Sequence, residues 1–198
     1  MNYTICIARQ FGSLGRPIAQ KLAQKLGIEY YDRDIVEAVS AEMHLPVSTI
    51  SDLEETAGKT TFFNMRFPLG TQTSAKQDMI FDVQKDVILS LAEKKSCIFV
   101  GRCSDYILEN RPNNLNFYIY APYKARLENC TGYLKMSLEE AERSIEAVDR
   151  ARNAYHKRYA GYLPDDCLHK HMLLDSSVLG IDGSAELLAQ MVQQRFFS

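Results

Sequence analysis

Much that would classify this chain at sight is missing from it. Its 198 residues include five cysteines (Cys6, Cys97, Cys103, Cys130, Cys167), none spaced as C-x-x-C. An odd number without paired spacing argues against a disulfide framework and for a reducing compartment. Cys167, His169 and His171 fall close together, but no ligand-like spacing elsewhere completes a metal site; a buried Cys with two surface histidines is the plainer reading. No charge of one sign dominates: 23 Lys and Arg stand against 25 Asp and Glu, a net charge of −2. That balance gives no general drive toward nucleic acid or anionic membranes, so any recognition of anions must come from local clusters. No apolar run approaches membrane-spanning length, and no basic segment followed by an apolar stretch opens the sequence. A cytoplasmic location is expected. Internal repeats and low-complexity tracts are absent as well. What remains is ordinary globular composition, 46% hydrophobic and 24% charged, enough for one domain over 1–198 with a real core.

A complete Walker A motif is also missing, and its near-miss is the most informative stretch present. Thr4 to Ala8 reads as a buried strand, Gln10 to Gly15 as a glycine-containing turn, and Pro17 onward as a helix. This order aims backbone N–H groups and a positive helix end at one point, which suits phosphate. Aligned on Gly15-Arg16, however, Gln10 stands at the first Gly of the motif, Arg16 at the Lys and Pro17 at the hydroxyl residue. Gly12 and Gly15 allow close backbone approach. Arg16 offers a bidentate fork where Lys is a point charge. Ser13 supplies a hydroxyl, and Arg9 a second cation at the strand end. The plain alternative is a strand-to-helix turn with no ligand.

Strand-like runs recur at Tyr3–Ala8, Ile28–Tyr31, Ile98–Val100, Asn116–Tyr120 and His171–Leu174. Helical patterns cover residues 17–26 (Ile18, Leu22 and Leu26 inward, Gly27 at C′), Asp34–Glu42, His44–Glu55, Asp78–Lys94, Asp105–Glu109, residues 137–159 behind a Ser137/Glu140 capping box, and Asp182–Phe196. Thr56 to Gln77 reads as a long loop or loosely helical insert. Alternating strands and helices predict a parallel sheet covered on both faces, an α/β fold with ligands at the carboxyl ends of its strands.

Other candidates lie at those ends. Gly101-Arg102 follows Ile98–Val100 and exposes a guanidinium at the sheet edge; Asp105 beside it suits substrate binding or a helix cap. Asp32 after the second strand suits a substrate hydroxyl, water around a metal ion, or a helix cap. Asp149-Arg150-Ala151-Arg152, with His156, Lys157 and Arg158, forms a basic cluster able to clamp a phosphoryl group. The plain alternative there is a solvated helix laced with pairs such as Glu146–Arg150. Asp175-Ser176-Ser177 reads as a turn or as a loop near a nucleotide base. Phe196 and Phe197 suit packing on the chain's own core or on a partner, which leaves a homodimer open.

In this order and spacing, the segments Ala8–Arg16, Gly27–Ile35, Val100–Leu108, Phe117–Arg126, Asp149–Gly161 and Leu173–Asp182 resemble the cytidylate kinase-like family of the nucleoside monophosphate kinases. The resemblance implies a three-layer P-loop kinase fold with a five-stranded parallel sheet. It also implies a substrate-binding insert at about 36–80 and a helical lid at about 135–165. The activity it implies is transfer of the ATP γ-phosphoryl group to a nucleoside monophosphate such as CMP or dCMP; the other reading is a non-catalytic nucleotide- or anion-binding module with a degenerate loop. Carried onto this chain, Gly12, Ser13, Gly15, Arg16 and Arg9 would hold the donor ATP. Asp32, Arg102, Asp105 and Arg150 would bind the acceptor. Arg16, Arg152 and Arg158 would stabilise the group in transit, and Ser13 with Asp32 would organise Mg2+. Two departures stand out. Cys103 replaces the Asp of the Gly-Arg-Asp triplet of true cytidylate kinases, and Leu14 stands where the uncharacterised branch of the family usually has Gly.

Overall fold

The computed structural model describes residues 2–32, 41 and 74–197. The helices expected at Asp34–Glu42 and His44–Glu55, and most of the Thr56 to Gln77 insert, therefore lie outside the described residues. Five parallel strands form one sheet: β1 (Thr4–Arg9), β2 (Glu29–Tyr31), β3 (Cys97–Val100), β4 (Asn114–Tyr120) and β5 (Met172–Asp175), in spatial order β2-β3-β1-β4-β5. β1 sits at the centre, with Thr4 opposite Cys97 on one side and Asn114 on the other. Its side chains and those of β3 are buried on both faces, which is why these strands read as unbroken apolar runs.

Helices cover the two faces. α1 (Gly15–Leu26) and the C-terminal α6 (Ser176–Phe196) pack Ile18, Leu22, Leu188 and Val192 against Ile5, Ile7 and Phe117. On the other face α2 (Ser74–Lys94) and the short α3 (Ser104–Ile107) enclose Cys6, Phe99, Ile88 and Leu108. A third cluster joins α4 (Tyr123–Gly132) and α5 (Leu138–Ala160) around Phe11. The expected sheet is thus present and closed on both sides. No helix among the described residues is long and apolar enough to cross a membrane.

The differences from the sequence reading have local causes. β4 begins two residues earlier than expected, at Asn114, because its polar start is satisfied inside the sheet. Thr4 Oγ1 donates to Asn114 Oδ1 at 2.9 Å, and Asn114 Nδ2 donates to Asn116 Oδ1 at 2.7 Å. α6 begins at Ser176, capped by Asp175, and is interrupted at Gly180 (φ 61°, ψ −165°) before the segment read from sequence. α4 was not foreseen. The capping box is present, with Ser137 accepting from the Glu140 amide. Phe196 stacks on Tyr3 at 4.7 Å, so it packs on the chain's own core.

Candidate active site

The chain leaves β1 toward one edge of the sheet and β4 toward the other. The diverging connections open a crevice at the carboxyl ends, the position where ligands enter open α/β sheets. Residues 10–15 cross it. Gly12 (φ 76°) and Leu14 (φ 59°) both take left-handed conformations, which reverses the chain into α1. A Cβ at Gly12 would lie 2.9 Å from both the Arg126 carbonyl oxygen and Cys130 Sγ, so only glycine fits between the loop and α4. Leu14 is the N-cap of α1 and supplies no side-chain acceptor. The positive end of α1 is therefore not neutralised by a cap of its own. Pro17 falls third in α1 rather than first, still among the positions whose N–H has no helical partner.

Arg9, Arg16, Arg102 and Arg152 gather beside this loop around the Asp32 carboxylate. Asp32 is buried. Its Oδ2 lies 3.0 Å from Arg16 Nε and accepts the Tyr30 hydroxyl at 3.2 Å, while Oδ1 lies 3.5 Å from Arg9 Nη2. Burial raises the pKa of Asp32, but Arg9, Arg16 and Arg102 together outweigh it and hold the carboxyl below its ordinary range. The guanidinium groups show the opposite imbalance. Burial pushes Arg9 down, with Asp32 only partly offsetting it. Arg152, whose Nη1 donates to the Arg9 carbonyl at 3.0 Å, is pushed down by burial and by the neighbouring Arg9. Arg9 and Arg152 are thus adjacent, half-buried guanidinium groups whose charged forms burial disfavours, and an incoming anion would stabilise those charged forms.

Arg102 reaches the cluster from a strained turn. Gly101, Arg102 and Cys103 take φ of 75°, 60° and 52° in succession. For non-glycine residues this costs about 1 kcal/mol or more each, and such strain persists only where its surroundings enforce it. Here Gly101 N–H donates to the Ile7 carbonyl at 3.0 Å and Ser104 N–H to the Gly101 carbonyl at 3.1 Å. Cys103 is buried beneath them. A Cβ on Gly101 would collide with Arg9 Nη1, so the missing side chain is what lets Arg9 lie across this turn.

Other expected site residues are placed elsewhere. Asp105 is turned inward. Its Oδ2 accepts Lys170 Nζ at 2.6 Å and faces His156 Nε2 at 3.0 Å, with the Lys170 side chain completely buried. His156 Nδ1 faces the Tyr162 carbonyl at 3.0 Å, so the imidazole meets an acceptor at both nitrogens. Asp105 thus anchors α5 rather than facing the crevice. Arg150 stands 80% exposed beside Glu146 at 3.9 Å, the plain helix-surface pair. Arg158 donates to Asp78 on α2 at 2.8 Å, and Tyr159 donates to the same oxygen. Neither of these arginines joins the cluster.

Among the described residues the donor set suits phosphate, and the two residues expected to organise magnesium, Ser13 and Asp32, are engaged by other partners. Ser13 is fully buried and its Oγ donates to the Gln10 carbonyl at 2.9 Å. The oxygens of Asp32 are shared among Arg9, Arg16 and Tyr30, so a divalent cation there would have to displace guanidinium groups. Among the described residues no group of three His, Cys, Asp or Glu is placed to hold a metal ion. His169 instead stacks on Tyr162, and His171 Nδ1 accepts the Asn116 amide. Residues to which sequence reasoning gave no role hold the loop: Asp149 accepts the Phe11 amide, Arg126 pairs with Asp149, and Asn129 donates to the Gly12 carbonyl. Arg126 and Asp149 signal only as charges of the kind most exposed segments carry, and the neutral Asn129 gives no signal.

Comparison with known proteins agrees with this fold. The chain is similar over nearly its whole length to several solved structures. An uncharacterized protein from Eubacterium ventriosum has 21% identity and a TM-score of 0.74, covering 98% of this chain and 100% of its own. Shikimate kinase from Acinetobacter baumannii, solved in complex with shikimate, has 12% identity and a TM-score of 0.57, covering 100% and 97%. A gluconokinase from Sinorhizobium meliloti has 9% identity and a TM-score of 0.50, covering 98% and 97%. No curated protein matches the sequence. These likenesses establish the fold, and a family model decides the membership: matched over residues 4–178, from β1 through the start of α6, the chain belongs to the cytidylate kinase-like family.

Proposed function

We propose that this protein transfers the γ-phosphoryl group of a nucleoside triphosphate, ATP in the first instance, to a small acceptor, with CMP or dCMP the first acceptor to test. The observation that carries the reading is the gathering of Arg9, Arg16, Arg102 and Arg152 around one carboxylate at the carboxyl ends of β1 and β3, beside the uncapped end of α1. Phosphoryl transfer asks a protein for positioning and charge neutralisation more than for covalent chemistry. Backbone groups of residues 12–16 and the end of α1 would hold the donor phosphates. Arg16, oriented through Nε by Asp32 and Tyr30, would face them. Arg102, placed by its strained turn at the end of β3, would hold an acceptor anion. Arg152, half-buried and bonded to the Arg9 carbonyl, would keep positive potential at the point where charge shifts between the two.

The second reading, an anion-binding module without transfer, draws on Arg16. Its Nε is engaged by Asp32 and Tyr30, at 3.0 and 3.2 Å, and Pro17 replaces the hydroxyl residue of the full motif. Calorimetric titration with MgATP and with CMP, separately and then together, divides the readings. Binding of both, followed by turnover in a coupled assay across the nucleoside monophosphates, supports transfer. ATP binding with no monophosphate bound shifts the acceptor to another class. Binding of both without turnover leaves the module, and binding of neither sinks the kinase reading.

A further inference from the structure

We infer that Asp149 is a positioning residue for the phosphate loop, which it holds from α5 through the amide of Phe11. The inference rests on the phosphoryl-site reading above. Asp149 Oδ1 accepts the Phe11 N–H at 2.7 Å, and its other oxygen pairs with Arg126. Arg126 Nη1 donates in turn to the Phe11 carbonyl at 3.3 Å, and Asn129 Nδ2 to the Gly12 carbonyl at 2.9 Å. The Phe11 ring is buried among Cys130, Ala141, Ile145 and Val148. Phe11 is thus held at its amide, its carbonyl and its side chain, all from α4 and α5.

The neighbouring peptide is held from the same helix face. Residues three apart on a helix are neighbours, and Arg152, three residues beyond Asp149, donates to the Arg9 carbonyl at 3.0 Å. A carboxylate and a guanidinium on α5 therefore grip the N–H after Gln10 and the C=O before it. The Phe11 amide is consumed by the protein, so it is no donor to a ligand. What it controls is the direction in which Gly12 to Arg16 continue, with Gly12 and Leu14 already committed to positive φ. The acceptor is a carboxylate, a stronger hydrogen-bond acceptor than a neutral carbonyl. Without that acceptor the peptide between Gln10 and Phe11 is held only at its carbonyl, by Ser13, and the amides that follow lose part of their common aim.

The test uses the whole protein and inorganic tripolyphosphate as probe, titrated by calorimetry into the wild type, Asp149→Ala, Asp149→Asn and Ser137→Ala. Asp149→Ala is expected to lose roughly tenfold or more in affinity, whereas Asp149→Asn, which still accepts the Phe11 N–H, stays within about threefold. Ser137→Ala destabilises the same helix through its cap and leaves the affinity unchanged. Amide hydrogen exchange at Phe11 accelerates in Asp149→Ala alone. If Asp149→Ala binds within about twofold of the wild type, or if the Ala and Asn variants weaken equally and in step with their thermal midpoints, Asp149 only stabilises the helix and the inference is overturned. If the wild type binds no tripolyphosphate, the phosphoryl-site reading falls, and exchange at Phe11 decides the inference by itself. Faster exchange in the Ala variant upholds the positioning, and unchanged exchange overturns it.

Discussion

At the scale of single residues, the proposed chemistry turns on which guanidinium group keeps which partner. Arg16 is held at Nε by Asp32 and Tyr30, a geometry that an ammonium group cannot reproduce. Arg16→Lys keeps the charge and loses the fork. It is expected to lower triphosphate affinity roughly tenfold in calorimetry with little change in thermal midpoint; unchanged affinity would remove Arg16 from the site. Asp105 gives a pH signature. Burial raises its pKa, but His156 and Lys170 outweigh burial and hold it at about 2, below the ordinary 3.8. A carboxyl depressed on folding stabilises the native state above its unfolded pKa and loses that contribution as pH falls through the folded one. Stability should therefore drop by about 2 kcal/mol between pH ~4 and ~2, measured by urea unfolding, and Asp105→Asn should flatten that limb. The Arg16 position is legible from the near-Walker pattern, whereas the role of Asp105 is not. Asp105 stands 51 residues from His156 and 65 from Lys170, and no local pattern links positions so far apart.

At the scale of elements, two short features position the site and both are testable. The Gly101 to Cys103 turn holds three successive positive φ values, and Gly101 has no room for a Cβ beside Arg9. Gly101→Ala is expected to cost about 1–2 kcal/mol in unfolding free energy and to weaken anion binding by displacing Arg9. Anion affinity unchanged beside lowered stability would separate the turn from the site. Ser137→Ala removes one half of the capping box and should cost about 1 kcal/mol. The strands, α1 with its Gly27 end, and the capped start of α5 were readable because each carries its signal locally, as an apolar run, a periodicity or a cap. α4 was not readable. Cys130 is its only buried residue, with Leu127 packed beside it, and Arg126 and Asn129 turn to the loop, so its packed apolar positions make no stripe. The same reason hid Asp149, which sits in a run of charges where most members, like Arg150, face water.

At the scale of the whole molecule, the parallel sheet is a rigid mount with all its chemistry at one end. The fold makes a simple prediction about its thiols. Cys6, Cys97, Cys103 and Cys130 are buried and Cys167 is exposed, so a native-state thiol titration should find one fast group and the denatured chain five. Burial also raises Cys103 and Cys6 far above their ordinary values, which keeps both as unreactive thiols. More than one fast thiol would contradict the burial of β1, β3 and the Gly101 turn.

α5 is fastened along its length: Asp149 and Arg152 to the loop, Tyr155 to Gln84, His156 to Asp105, and Arg158 with Tyr159 to Asp78. The consequence is kinetic. If the loop binds phosphate as proposed, a loop whose shape is set during folding meets its ligand by collision rather than by rearrangement, so the association rate should follow encounter and long-range attraction. It should fall steeply as salt screens the arginine cluster, while the dissociation rate stays nearly flat. Stopped-flow binding at rising ionic strength would then read the pull of the gathered arginines on an anion as a slope.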